Sequence, residues 1–156
     1  MIFTLERTQF FKCSLEEAWS FFTNPNNLAT ITPDSLDFQV LDAFDKNGIF
    51  EGMYINYKVR PLLGIRLSWR TKIIEVIPQR SFVDMQERGP YKLWRHRHEF
   101  FAEDGGVRME DRVEYELPFG ILGTWVHGLI VKKKLREIFD YRYQTLEKIL
   151  NNALYN

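Results

Sequence analysis

Residues 92–117 read KLWRHRHEFFAEDGGVRMEDRVEYEL, and the alternation in this stretch decides the fold. Ahead of the turn, Trp94, His96, His98 and Phe100 share one face, with Arg95, Arg97 and Glu99 on the other. Beyond it, Met109, Asp111, Val113, Tyr115 and Leu117 oppose Arg108, Glu110, Arg112, Glu114 and Glu116. A period of two marks strands with one wet face and one dry face. The Glu103-Asp-Gly-Gly106 turn between them predicts an antiparallel hairpin.

Upstream, strand-like segments lie near 36–44, 52–60, 65–77 and 81–88, parted by Asp45-Lys-Asn-Gly48, Pro61 with Gly64, Pro78-Gln79 and Gly89-Pro90. Such short connections favour sequential antiparallel pairing. Leu67, Trp69, Thr71 and Ile73 fall on one inward set, and Ile55, Tyr57 and Val59 on another. In SFVDMQER the parity is ambiguous, with Phe82, Asp84 and Gln86 set against Val83, Met85 and Glu87. Downstream of Pro118-Phe-Gly120 the period turns helical. Leu122, Trp125, Leu129, Leu135, Ile138, Phe139, Leu146, Ile149 and Leu150 mark a helix over about 122–152, roughly 45 Å long. At the other end, residues 2–11 read as a strand. Ser14 and Glu17 form a capping-box pattern that opens a helix, LEEAWSFFTN, with Leu15, Ala18, Trp19 and Phe22 on its buried face. A second short helix is expected around Leu28–Ile31, ended by Pro33.

The expectation is an α+β fold in a single domain, residues 1–156. A curved six- to seven-stranded antiparallel sheet surrounds a long C-terminal helix, with two short helices after the first strand. A twisted sheet gripping one helix leaves space between them.

Composition narrows the function classes. With 21 basic and 21 acidic residues the chain has no net charge, whereas phosphate contacts give nucleic-acid binders a basic excess. No nucleic-acid partner is expected. Lys132-Lys-Lys134 with Arg136 reads as a solvated helix face. No apolar run approaches the ~20 residues of a membrane span, so no membrane insertion is expected. MIFTLERTQFF lacks the basic start and apolar run of a signal peptide, and the expected location is cytoplasmic. Cys13 is the only cysteine, which excludes an intramolecular disulfide and a cysteine-rich zinc site. No phosphate loop or G-x-S-x-G elbow occurs. Nothing in the sequence sets an oligomeric state.

Thirteen Phe, seven Tyr and four Trp make the inward faces mostly aromatic, with sparse polar groups. An apolar lining with few polar anchors is the composition of a ligand pocket. Candidate binding residues are Tyr57, Trp69, Gln86, Trp94, His96, His98, Phe100, Asp111 and Tyr115. The His96-x-His98 pair has four possible roles: metal ligand, anchor for a ligand's polar group, acid–base pair near neutral pH, or polar cluster fixing strand register. Asp111 on the next strand is placed to orient one imidazole. Nothing in the spacing fixes a metal geometry, so neither metal nor cofactor is expected.

The run Phe82-Val-Asp-Met-Gln86, then Gly89-Pro-Tyr91, Trp94, His96, His98 and Phe100, resembles a bacterial ligand-binding group of the START-related superfamily. Asp111, Val113, Tyr115, Pro118, Gly120 and Ile138-Phe-Asp-Tyr-Arg142 resemble it too. The superfamily also contains polyketide cyclases and lipid-transfer proteins, and the resemblance implies the helix-grip fold over essentially the whole chain. The leading expectation is a binding protein, more a carrier than an enzyme, for a small hydrophobic or aromatic molecule. The alternatives are a cyclase or dehydratase using a His/Asp acid–base pair, and a regulatory module that binds a partner protein.

Overall fold

A computed structural model describes residues 1–44, 48–60, 64–118 and 130–152. Its strands are β1 (Ile2–Phe11), β2 (Gln39–Val40), β3 (Tyr54–Val59), β4 (Leu67–Ile77), β5 (Ser81–Arg88), β6 (Leu93–Glu103) and β7 (Gly106–Glu116). They form one antiparallel sheet in the order β1-β7-β6-β5-β4-β3-β2. The hairpin read from residues 92–117 is the β6–β7 pair, in register from Leu93↔Glu116 to Glu103↔Gly106. Gly105, at φ +80°, supplies the left-handed residue of its turn. The fold is the helix-grip α+β arrangement. Among the described residues no helix is long and apolar enough to cross a membrane.

Helix α1 (Leu15–Phe22) opens with the capping box. The Ser14 side chain accepts from the Glu17 amide at 3.1 Å, and the Glu17 carboxylate accepts from the Ser14 amide at 2.7 Å. The second short helix is not α-helical. Two 3-10 turns, Pro25–Asn27 and Asp34–Leu36, bracket a non-helical turn at 28–32. Pro33 biases the residue before it away from helical backbone, and Thr32 instead bonds back to the Leu28 carbonyl at 2.6 Å. The strand expected over 36–44 shrinks to Gln39–Val40. The turn at 34–36 and a left-handed Asp37 (φ +44°) occupy its start, and the Asp42 carboxylate takes the Asn56 amide at 2.6 Å at its end.

Helix α2 (Lys132–Leu146) continues as a wider π turn through Asn151. The expected helical stretch over 122–129, with Leu122, Trp125 and Leu129, lies outside the described residues. Val131, Leu135, Phe139 and Leu146 are buried on the inner face of this helical segment. Its C-terminal end is stitched to β1: Gln9 donates to the Tyr143 carbonyl at 3.0 Å and the Glu147 carboxylate at 2.9 Å. Asn151 likewise donates to the Phe10 carbonyl at 3.0 Å.

The ambiguous strand β5 is buried on both faces. Phe82 points to the helix side, where it stacks on His98. Val83, on the other side, is fully buried between Glu75 and Arg97, which pair at 3.1 Å across it. In β4 a bulge between Ile73 and Glu75 shifts the parity, so Val76 joins the inner set.

Phe10 and Phe11 differ only in parity, with exposures of 36% and 0%. Phe11→Ala is expected to cost ~3–5 kcal/mol and Phe10→Ala about 0.5 kcal/mol, measured as shifts in urea unfolding midpoints.

Candidate functional site

Three neighbouring strands bring four ionisable side chains together under the helix. Register pairs Asp84 with His96 and His98 with Asp111. Each imidazole therefore lies between a carboxylate from β5 and one from β7. His96 Nε2 donates to Asp111 Oδ1 at 3.0 Å, and its Nδ1 is 3.8 Å from Asp84 Oδ2. His98 Nε2 hydrogen-bonds Asp84 Oδ2 at 3.0 Å. Its Nδ1 lies 2.9 Å from Asp111 Oδ1, but without hydrogen-bond direction. The two rings lie 3.8 Å apart, and Phe82 stacks on the outer side of His98 at 4.1 Å.

Helix α2 adds a fifth ionisable group. Arg142 reaches within 3.8 Å of Asp111 Oδ2, its guanidinium lying over the rings of Phe22 and Phe139. Burying such groups is tolerable only when opposite charges and hydrogen bonds replace water. Burial pushes the Asp111 carboxyl up, but the Arg142 charge, the His96 hydrogen bond and the nearby His98 ring outweigh it and hold the group well below its usual range. Burial lowers His96, and the neighbouring His98 adds to that effect. His98 is also penalised by burial, yet the close Asp111 carboxylate and the hydrogen bond and charge of Asp84 raise it overall. The two imidazoles are thus shifted in opposite directions, His96 toward the neutral form and His98 toward the protonated one. That division suits proton transfer, anchoring of a polar ligand group, or metal ligation.

Beside this cluster lies a cavity of about 200 Å³. Asp84, His96, His98 and Arg142 contribute to its wall, while most of the remaining lining is apolar or aromatic. Tyr57 stacks on Trp69 at 5.7 Å, and Trp94 meets Trp69 edge-on at 5.5 Å. Tyr57 shares a hydrogen bond of 2.9 Å with Thr71, and burial raises its hydroxyl pKa despite that bond. Among the described residues the buried Trp69 indole N–H has no hydrogen-bond partner.

Of the residues expected from sequence, Tyr57, Trp69, Trp94, His96 and His98 line the cavity. Gln86, Phe100, Asp111 and Tyr115 sit outside its described lining. The Gln86 amide is engaged with the Tyr91 backbone, donating to its carbonyl at 2.6 Å and accepting from its N–H at 3.2 Å. Phe100 packs edge-on against Trp19 in the neighbouring core. Tyr115 packs with Val113, Leu135 and Phe139. Asp111 backs the histidines.

Asp84 and Arg142 are the site residues that the expected set lacked. The signal for Arg142 was present: it is the one charge on the inner stripe formed by Val131, Leu135, Phe139 and Leu146. For Asp84 the two-faced burial of β5 hid it.

The contrast between the two faces of β7 is testable. Asp111→Asn leaves buried histidine and Arg142 without their counter-charge and is expected to cost ~3–5 kcal/mol of stability. Arg112→Gln, on the exposed face, is expected to cost less than ~1 kcal/mol. Urea unfolding of both variants checks this.

No protein-family model matches the chain, and no curated protein matches it by sequence. Solved structures do match. A protein from Thermus thermophilus is similar at TM-score 0.72 and 16% identity, over 96% of this chain and 98% of that one. A START superfamily protein from Mycobacterium smegmatis is similar at TM-score 0.70 and 12% identity, over 96% and 98%. The di-domain ARO/CYC StfQ from the steffimycin biosynthetic pathway is similar at TM-score 0.64 and 9% identity, over 95% of this chain and 52% of that one. At such identities the likeness establishes architecture alone, and the chain shares the helix-grip fold of these structures.

Proposed function

We propose that residues 1–156 form a single ligand-binding domain that holds a small, planar, largely apolar molecule in the cavity between sheet and helix. The observation that carries this reading is a cavity whose wall combines Tyr57, Trp69 and Trp94 with His96, His98 and Asp84. Its volume, about 200 Å³, exceeds the ~150 Å³ that suffices for benzene in an apolar protein cavity. It falls below the ~300–1,000 Å³ of pockets for drug-sized ligands. One or two fused rings suit that space. The unpartnered Trp69 N–H and the histidine pair would meet the ligand's polar atoms, since a buried donor without a partner costs ~1–3 kcal/mol.

A second reading, a cyclase- or dehydratase-type reaction, is favoured by the different tuning of the two imidazoles. A neutral His96 would take a proton from carbon next to a carbonyl while protonated His98 donates to the oxygen. Under that reading, His96→Ala or His98→Ala abolishes turnover of a bound substrate and leaves its binding in place.

Titration with 2-naphthol, followed by tryptophan fluorescence and calorimetry, tests the binding reading. One saturable site is expected, weakened about 10-fold by Trp69→Ala through loss of aromatic contact. Decanoate, long and flexible, is expected to bind less tightly. Absence of saturable binding by 2-naphthol, or equal binding by Trp69→Ala, would sink the proposal.

A further inference from the structure

We propose that Asp84, His96 and His98 form a binding site for one first-row divalent transition-metal ion, held by two imidazole nitrogens and one carboxylate oxygen in the cavity wall. Sequence reading assigned no metal, because strand spacing alone leaves ligand geometry undetermined. The side-chain geometry supplies what was missing. One donor atom from each residue lies within 4.8 Å of the other two. Asp84 Oδ2 stands 3.0 Å from His98 Nε2 and 3.8 Å from His96 Nδ1. Bonds of ~2.0–2.2 Å at tetrahedral angles separate ligand atoms by about 3.3 Å, and the two distances bracket that value.

The outer groups support the same assignment. Histidine ligands are held by giving their second ring N–H to a carboxylate, which fixes the tautomer and strengthens the ligand. Here the far nitrogen of His96, Nε2, donates to Asp111 Oδ1 at 3.0 Å, and that of His98, Nδ1, lies 2.9 Å from the same oxygen without hydrogen-bond direction. With Nε2–H donated to Asp111, the His96 Nδ1 lone pair is left on the Asp84 side. Arg142 in turn holds Asp111 from the helix. Asp84, with its side chain 18% exposed, and both histidines contribute to the cavity wall. Remaining coordination positions would therefore face the cavity and accept water or a ligand oxygen. Two imidazoles and one carboxylate suit Zn²⁺, Fe²⁺, Ni²⁺ or Cu²⁺, whereas Mg²⁺ and Ca²⁺ prefer all-oxygen shells.

The assignment stands apart from the ring-ligand reading, since metal uptake needs no organic molecule. The full chain, stripped with EDTA, is titrated with Co²⁺ by visible absorption and with Zn²⁺ by calorimetry. One equivalent is expected, with Zn²⁺ displacing Co²⁺. His96→Gln and Asp84→Asn are each expected to weaken binding at least as much as Asp111→Asn, for which about 10- to 100-fold is expected from loss of the supporting carboxylate. Glu87→Gln, an exposed site on the same strand, should leave binding unchanged. Because the variants alter buried positions, electron paramagnetic resonance of Cu²⁺ in the unaltered protein provides a second readout. Couplings from two imidazole nitrogens support the site. Absence of saturable uptake by the unaltered protein, unchanged affinity in the His96 and Asp84 variants, or Cu²⁺ spectra without imidazole coupling would overturn it.

Discussion

The register of β5, β6 and β7 is the constraint on which the interior depends. It places Asp84 across from His96 and His98 across from Asp111, so carboxylates and imidazoles alternate across the three strands. A slip of one residue would send each of these groups to the opposite face. There, arginine and glutamate side chains already pair with one another in water. Only in the observed register does every buried charge meet an opposite charge or a hydrogen-bonding ring. Arg142 completes the arrangement from the helix, and so ties the seating of α2 to the same four side chains.

Around this polar centre the interior divides into packed ends and a hollow middle. Phe11, Phe22, Phe82 and Phe100 fill one end together with α1 and Leu146. Val113, Tyr115, Leu135 and Phe139 fill the other. The cavity lies between, bordered by Trp69 and Trp94, whose edge-on contact leaves the indoles as walls rather than plugs. Polar groups beside an apolar hollow interact more strongly than they would in water. A molecule entering the hollow would therefore feel Asp84 and the histidines strongly.

Much of this was legible in the sequence because alternation is a backbone property. The β6 and β7 faces, the capping box at Ser14 and Glu17, and the inward set of β4 through Ile73 follow from periodicity alone. The second helix was misread because Pro33 and the Thr32 side chain decide locally what apolar spacing cannot. Asp84 escaped notice because an ion pair, Glu75 with Arg97, buries Val83 on the face that alternation would assign to solvent. Arg142 was visible as a charge on an apolar stripe, but its partner stands across the molecule on β7. Gln86 shares the ambiguous parity of Asp84, yet its amide turns to the β5–β6 connection. No pattern of spacing distinguishes a side chain that faces a cavity from one that folds back on its own turn.

That connection contains a feature of wider consequence. A Cβ at Gly89 would fall 2.3 Å from Gln86 Oε1, so the fold-back of Gln86 uses the space left by the missing side chain at residue 89. Through that fold-back Gln86 grips the backbone of Tyr91, whose ring lines the cavity between Trp69 and Trp94. The β5–β6 turn thus supplies one wall of the hollow through the Tyr91 ring and braces that wall through Gln86. A side chain at residue 89 would press on the Gln86 amide, so the brace behind this wall and the turn that carries it share one small residue.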